Sequence, residues 1–304
     1  MENFDLAVSY VWEYDVEFVS LIEKILQPAG IRTYIIHGDN VDEVTELLKS
    51  RLINFGFYLD RASDVDERFS EIAKMLTRRK IRILNAYSDV EHAIDKASMH
   101  LEFITAGLNV PYSIIIPPHS EKEMLYISVD DLAVLGRPFI IKPCNTTGGG
   151  IGVVTGAESL KEIFEERVTN KNDKYLLQEK VYPALLDGKR AWFRCFWAFG
   201  NPIPTWWDDQ THIYSELTAE QISNYKLKKL DQILRIIYKI TRLDFFSTEI
   251  VLTGDGKFVV IDYVNDQCDM RLQSQHQDGI PDRIIEQIIN NLGNFILKEK
   301  RRNK

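Results

Sequence analysis

Apolar runs and amphipathic stretches alternate along the first quarter of the chain. Phe4 to Val11 (FDLAVSYV) predicts a β-strand, and Val16, Val19, Ile22, Ile25 and Leu26 then recur at the spacing of one helix face. Pro28 and Gly30 end that helix. Arg32 to Ile36 predicts a second strand and Ile53 to Leu59 a third, with a helix from Val41 to Arg51 between them, capped by Asn40 with Glu43 three positions on. Asp66 to Arg79 predicts a further helix and Ile81 to Leu84 a fourth strand. Strands and helices that alternate in this way build a small parallel sheet with right-handed crossovers. Ligands of such sheets lie beyond the carboxyl ends of the strands. Tyr10 to Asp15, His37 to Asn40 and Asp60-Arg61 fall there. For any one of them a solvated loop or cap is the simpler role; Trp12 and Arg61 suit a substrate best.

From Asp89 to Gly107 a single helical run is expected, with Ile94, Ala97, Leu101, Ile104 and Thr105 on one face and Gly107 and Pro111 as its stop. Tyr112 to Ile116 is a short strand. Arg137 to Val154 (RPFIIKPCNTTGGGIGVV) then combines an apolar run at Phe139–Ile141, a lysine at Lys142, a loop from Asn145 to Gly152 and a resumed strand at Val153-Val154. A glycine-rich loop leaves backbone N–H groups bare enough to wrap an anion, and a lysine beside it adds a point charge. Taken alone, the stretch fits a plain glycine hairpin equally well. It lacks the Gly-x4-Gly-Lys-Ser/Thr order of a P-loop.

Ser159 to Val168 reads as a helix, Lys174 to Val181 (KYLLQEKV) as a strand, and Trp192 to Phe199 pairs with Ile203 to Trp207. Glu220 to Thr241 predicts one long helix. Phe246 to Leu252 and Lys257 to Asn265 form a second hairpin around Thr253-Gly254-Asp255-Gly256. The last helix is expected from Asp282 to Lys298, with a frayed tail. The second hairpin carries Glu249 on one strand and Asp262 near the end of the other, with Asn265 three residues on. Antiparallel pairing can bring two such carboxylates together, where they repel unless a cation lies between them. Carboxylate and amide oxygens are what Mg²⁺ prefers. A solvated hairpin face without metal is the simpler alternative.

The whole pattern is α/β. With 304 residues, 45% hydrophobic and 27% charged, the chain has room for two or three compact units. A net charge of −8 argues against a general nucleic-acid or membrane-surface binder. No apolar run reaches the length of a membrane span, and the acidic N-terminus has no signal-peptide pattern. Three cysteines without CxxC spacing fit reduced thiols and a cytoplasmic setting.

In chain order the candidate residues are Lys96, Lys142, the Gly148–Gly152 loop, Gln178-Glu179-Lys180-Val181, Arg194, then Glu249, Asp262 and Asn265. This order, with Asp95-Lys96, Met99, Leu101, Gly107 and Pro111 in the helix and IKP before the glycines, resembles the ATP-grasp superfamily. The resemblance covers Asp89 to Asp269, and the preceding α/β unit is similar to a pre-ATP-grasp domain. It implies three units: 1–88 as the pre-ATP-grasp domain, 89–182 as the central ATP-binding subdomain with its glycine-rich lid, and 183–304 as the C-terminal subdomain with the metal site.

What the resemblance implies for single residues follows the same order. Lys96 and Lys142 contact the phosphates of ATP, and Thr147, Gly148, Gly149 and Gly150 belong to the loop that closes over them. That loop is expected to open or disorder without nucleotide. Gln178, Glu179, Lys180 and Val181 hold adenine, largely through backbone groups, and Asp187 is the candidate for the ribose hydroxyls. Glu249, Asp262 and Asn265 hold Mg²⁺, or Mn²⁺ in its place. Arg194 stabilises the transferring phosphoryl group, and Arg271 is a candidate to hold a substrate carboxylate or acyl phosphate, with a surface ion pair as its equal alternative. The implied activity is ADP-forming ligation of a small-molecule carboxylate to an amine or thiol, and family members are often homodimers. A kinase acting on a hydroxyl, or a non-catalytic nucleotide-binding protein, is the alternative.

One departure stands out. Asp262-Tyr263-Val264-Asn265 has two residues between acid and amide where the family has one, and no Pro-Gly follows. Either a bulge re-aims Asn265 or Asp266 takes its place. His100 is expected to pack or lie on the helix surface, Cys144 to be an incidental thiol, and Trp206-Trp207 to be aromatic packing.

Overall fold

The computed structural model describes residues 1–145 and 152–302. The first sheet holds β1 (Glu2–Tyr10), β2 (Thr33–Ile36), β3 (Ile53–Arg61) and β4 (Arg82–Leu84) in the order β2-β1-β3-β4, every pair parallel. Period-two alternation sorts its two faces. Leu6 and Val8 join a core with α1 (Val16–Leu26), while Ala7 joins one with α2 (Val41–Lys49) and α3 (Glu67–Arg78). Asp66 caps α3 by accepting from the Arg68 N–H. Asn40 does not cap α2 as expected. Its Oδ1 accepts from the His37 N–H at 2.8 Å and its amide donates to the Ile35 carbonyl, so it closes the preceding turn instead.

The helix expected from Asp89 to Gly107 is two: α4 (Tyr87–Ile94) and α5 (Lys96–Thr105). Asp95 breaks it at φ −71°, ψ 98°, and its carboxylate accepts from the Ala97 and Ser98 N–H groups. An N-capping carboxylate restarts the helix, which makes Lys96 its first residue.

A second sheet follows: β5 (Ser113–Ile116), β6 (Phe139–Pro143), β7 (Val154–Ala157) and β8 (Tyr175–Glu179), antiparallel in the order β5-β8-β6-β7. It carries α6 (Val129–Leu135), which the apolar pattern did not announce, and α7 (Leu160–Thr169). The small hairpin of β9 (Leu185–Leu186) and β10 (Lys189–Arg190) leads to the third sheet. There β11 (Trp192–Ala198), β12 (Asn201–Trp207), β13 (Tyr214–Ser215), β14 (Phe245–Leu252) and β15 (Phe258–Asn265) run antiparallel in the order β13-β12-β11-β14-β15. The long helix expected from Glu220 is also two, α8 (Ala219–Asn224) and α9 (Lys228–Thr241), because Lys226 turns the chain at φ 55°.

The last helix, α10 (Asp282–Arg302), returns to the first sheet. Ile285, Ile289 and Leu292 share one core with Leu6, Val8, α1 and the third-sheet residues Phe196 and Phe245. The approach to α1 is close: a Cβ on Gly293 would lie 2.7 Å from Leu26 Cδ2. The other face of the third sheet packs on α9 and α5. Among the described residues no helix is long and apolar enough to cross a membrane.

Candidate active site

The second and third sheets meet at Lys142. It lies on β6, is 8% exposed, and its Nζ reaches across to donate to the Ile261 carbonyl on β15 at 3.1 Å. Ile261 is the extra residue of a β-bulge, since Glu249 pairs with Asp262 and Ile250 with Val260. Lys96 comes to the same place from α5, its N–H bonded to the Cys144 carbonyl at 3.0 Å. Burial lowers the Lys96 pKa; Asp262 opposes that shift and Lys142 adds to it.

Glu249 and Asp262 are direct register partners on β14 and β15. A second bulge follows: the step from Ser247 to Glu249 on β14 is matched by the step from Asn265 to Asp262 on β15. The extra residue turns Tyr263 and Val264 both into the core and returns Asn265 to the partly exposed side with Asp262. A bulge, one of the two outcomes expected at this departure, is present; which residue completes the site is not decided by it. Asp266 is buried, and burial raises its carboxyl pKa against the pull of backbone amides.

Arg194 is the register partner of Glu249 on β11, and its guanidinium lies 3.2 Å from Glu249 Oε1. It also lies over the Trp207 ring, 5.6 Å from the centroid. Glu249 Oε2 accepts from Trp192 Nε1 at 3.0 Å. Burial raises the Glu249 pKa; Arg194 opposes this and Asp262 adds to it. The sequence reading passed over Trp192. Its signal was position: two residues before Arg194 on one strand, it shares that residue's face.

Among the described residues no cluster of three or more His, Cys, Asp or Glu is placed to hold a metal. The donor set is two carboxylates and one amide, which suits an ion that keeps part of its water and takes phosphate oxygens as further ligands.

The flanks of the glycine loop are fixed. The Asn145 N–H and side-chain amide both donate to the Asp173 carboxylate. Gly152 adopts φ +71°, and a Cβ there would lie 3.3 Å from Pro143 Cγ. Thr147, Gly148, Gly149 and Gly150 lie outside the described residues, and with them the expected opening of the loop. Cys144, at its start, is buried, which pushes its thiol up to about 12 and keeps it from acting as a nucleophile.

No protein-family model and no curated protein matches the sequence. Solved structures do. D-alanine–D-alanine ligase from Bacillus anthracis, complexed with ATP, superposes with a TM-score of 0.68 at 15% identity, over 98% of this chain and 99% of that one. The RimK domain protein ATP-grasp from Sphaerobacter thermophilus gives 0.64 at 17% identity, over 96% and 99%. The ATP-grasp ligase PsnB, complexed with a minimal precursor, Mg and ADP, gives 0.58 at 15% identity, over 94% and 97%. The chain has the ATP-grasp fold.

On this ATP-grasp frame the remaining expected residues fall into place unevenly. Gln178 is buried on β8; its amide nitrogen reaches the Tyr263 hydroxyl at 3.3 Å, and its Oε1 has no partner. The Glu179 carboxylate accepts from the Tyr112 N–H at 2.7 Å. Val181 and Trp192 pack on Val251, Val259 and Ile261, a small apolar patch on the third sheet. Lys180 lies over the Tyr182 ring. Glu179, Lys180 and Val181 line a cleft of about 710 Å³ together with His100 and Tyr112.

Asp187 sits at the tip of the β9–β10 hairpin, where it and Gly188 both have positive φ, and it accepts from the Tyr225 hydroxyl. Among the described residues no ion pair or hydrogen bond joins it to the lysine–carboxylate cluster. Arg271 is held by Asp269 and Asp278, at 2.8 and 2.9 Å, and lies over the Tyr14 ring. Arg61 is buried and bidentate with Asp15, and it donates to the Cys268 carbonyl, so it pins the first sheet to the end of the third. His100 is buried and bonded to the Tyr263 hydroxyl at 2.5 Å, a packing role as expected.

Proposed function

We propose that this protein is an ATP- and Mg²⁺-dependent ligase that joins a small-molecule carboxylate to an amine. The observation that carries this reading is the meeting of Lys96, Lys142, Arg194, Glu249 and Asp262 where two sheets of an ATP-grasp fold touch. Two cations and an arginine beside two paired carboxylates form a site for a polyanion together with its counter-ion.

In this reading residues 1–88, 89–182 and 183–304 act as pre-ATP-grasp, central and C-terminal units. Lys96 and Lys142 hold phosphate oxygens, and the glycine loop covers them. The Glu179–Val181 segment and the apolar patch of Val251, Val259 and Ile261 take the adenine. Glu249, Asp262 and Asn265 are the residues for Mg²⁺, and their oxygens suit Mn²⁺ also. A bound ion supplies charge neutralisation at the phosphates. Asp187 is kept for the ribose, and Arg271 for a substrate anion that displaces Asp269 or Asp278.

Arg194 is placed to stabilise charge on the transferring phosphoryl group. An oxygen of the substrate carboxylate takes the γ-phosphoryl group and ADP leaves. The amine nitrogen then attacks the acyl carbon, inorganic phosphate leaves, and the nitrogen gives up a proton. No protein nucleophile is required, in keeping with the inert Cys144 thiol. The bulge that returns Asn265 to the side of Asp262 supports a working site over a degraded one.

The test is ADP release over carboxylates crossed with amines, with products identified by mass. An amide is expected. A stable phosphoester would replace this reading by a hydroxyl kinase, and ATP binding without turnover over the whole panel by a nucleotide-binding protein.

A further inference from the structure

A cavity of about 580 Å³ lies between α3, α4 and the carboxyl ends of β3 and β15, and the residues assigned to ATP do not line it. Its walls are apolar, with Leu59, Ala73, Leu84, Val90 and Phe245. Three carboxylates also line it: Asp60, Asp64 and Asp266.

Asp60 is already satisfied. It accepts from the Ser9 hydroxyl, the Ala62 and Ser63 N–H groups, the Ser63 hydroxyl and the Tyr87 hydroxyl. The other two are not paired in this way. Asp266 is 8% exposed, and among the described residues neither it nor Asp64 forms an ion pair with a lysine or arginine. The nearest candidate, Arg61, is committed to Asp15 and to the Cys268 carbonyl. Asp266 accepts from backbone amides but meets no cation of its own, so a buried carboxylate is left able to take a cationic partner from outside the chain.

The exposed rim has the opposite charge. Lys74 and Arg78 stand one turn apart on α3, line the same cavity, and form no ion pair among the described residues. Asp266 is buried and Asp64, beside it, is exposed like the two cations. Acids on one wall, cations on α3 and apolar residues between them complement a molecule with an ammonium group at one end, an anion at the other and an apolar body.

We propose that this cavity binds an amino acid or short peptide with an apolar side chain, its ammonium group against Asp64 and Asp266 and its carboxylate toward Lys74 and Arg78. Its role as the amine-bearing substrate rests on the ligase reading above, in which Asp266 directly follows Asn265, one of the residues proposed for Mg²⁺.

Binding can be read without ATP, by calorimetry with the L- and D-amino acids and their dipeptides as probes. At least one apolar member is expected to bind, and its des-amino analogue to bind about tenfold weaker or worse. Asp64→Asn should weaken the amino acid about tenfold, and Lys74→Ala should weaken the amino acid but not the matching carboxyl-free amine. Binding of a non-hydrolysable ATP analogue should be unchanged in both variants, which shows that they are folded. No binding by any member of the panel, or equal binding by Asp64→Asn or by the des-amino analogue, overturns the assignment. A protein that binds the amino acid but forms no amide keeps the cavity assignment and loses the ligase reading.

Discussion

The two hairpins that meet at Lys142 and Ile261 are built alike and face opposite electrostatic problems. In β6–β7 the strands are joined by residues 144–153, and the hairpin brings a buried lysine and a run of glycines. In β14–β15 the strands are joined by residues 253–257, a turn closed by the Thr253 N–H to the Lys257 carbonyl at 2.9 Å, and the hairpin brings two facing carboxylates. Holding like charges together requires a fixed register, and the tight turn and the bulges supply it. Wrapping an anion favours glycine, and the sequence places glycines at 148–150 and 152 for the role proposed above. Each hairpin is expensive alone; placed together, each offsets the buried charge of the other.

The strongest way to break this comparison is to remove the lysine. Lys142→Ala is expected to lower ADP release by about 10³-fold or more, roughly 4 kcal/mol of transition-state stabilisation, measured at a temperature where the variant is still folded. Activity near wild type would mean that the cationic hairpin does not meet the nucleotide.

A smaller effect separates charge from positioning on the acidic side. Trp192→Phe keeps the ring and removes the N–H that holds Glu249 Oε2. It should raise the Mg²⁺ concentration needed for half-maximal activity about fivefold, in line with the ~1 kcal/mol of one hydrogen bond, while the KM for ATP at saturating Mg²⁺ stays put. An unchanged Mg²⁺ requirement would leave Glu249 positioned by Arg194 alone.

The two turns can be compared through their glycines. Gly152 and Gly256 both have positive φ, but only Gly152 would place a Cβ near another residue, at Pro143. Each change to Ala should cost about 1–2 kcal/mol in urea unfolding, with Gly152→Ala the larger. The reverse order would show that the Pro143 contact relaxes.

The smallest effect is on acid stability. Burial opposes it, but the Lys174 ammonium at 2.5 Å and the amides of α5 hold the Asp95 carboxyl below its usual 3.8. A depressed folded-state pKa gives stability that is complete above the unfolded value and is lost as pH falls through the folded one. Asp95→Asn should therefore lower stability near neutral pH and flatten its fall below about pH 4. Parallel profiles for variant and parent would remove Lys174 as the cause.

Much of the fold could be read from periodicity because amphipathic spacing reports which face is buried. The first sheet, both hairpins and α10 lie where the apolar pattern puts them. The two helices predicted as continuous were not, because periodicity does not register a single capping residue such as Asp95 or a left-handed residue such as Lys226. At the site, Lys96, Lys142, Arg194, Glu249 and Asp262 were all legible as charged residues in order along the chain. Arg61 was not legible as the partner of Asp15, because nothing local shows that Asp15 will meet it in the core.

By itself, then, the sequence determined the alternation of strands and helices, the two hairpins and the charged residues available to them. Those depend on local spacing and on residue chemistry. The tertiary structure alone decided that Lys142 reaches β15, that a bulge falls between Asp262 and Asn265, that Trp192 holds Glu249, and that Asp64 and Asp266 share a cavity with Lys74 and Arg78. Each of these joins residues far apart in the chain or turns on a one-residue shift in strand register. A one-residue shift reverses which face a side chain takes, and no local pattern specifies it.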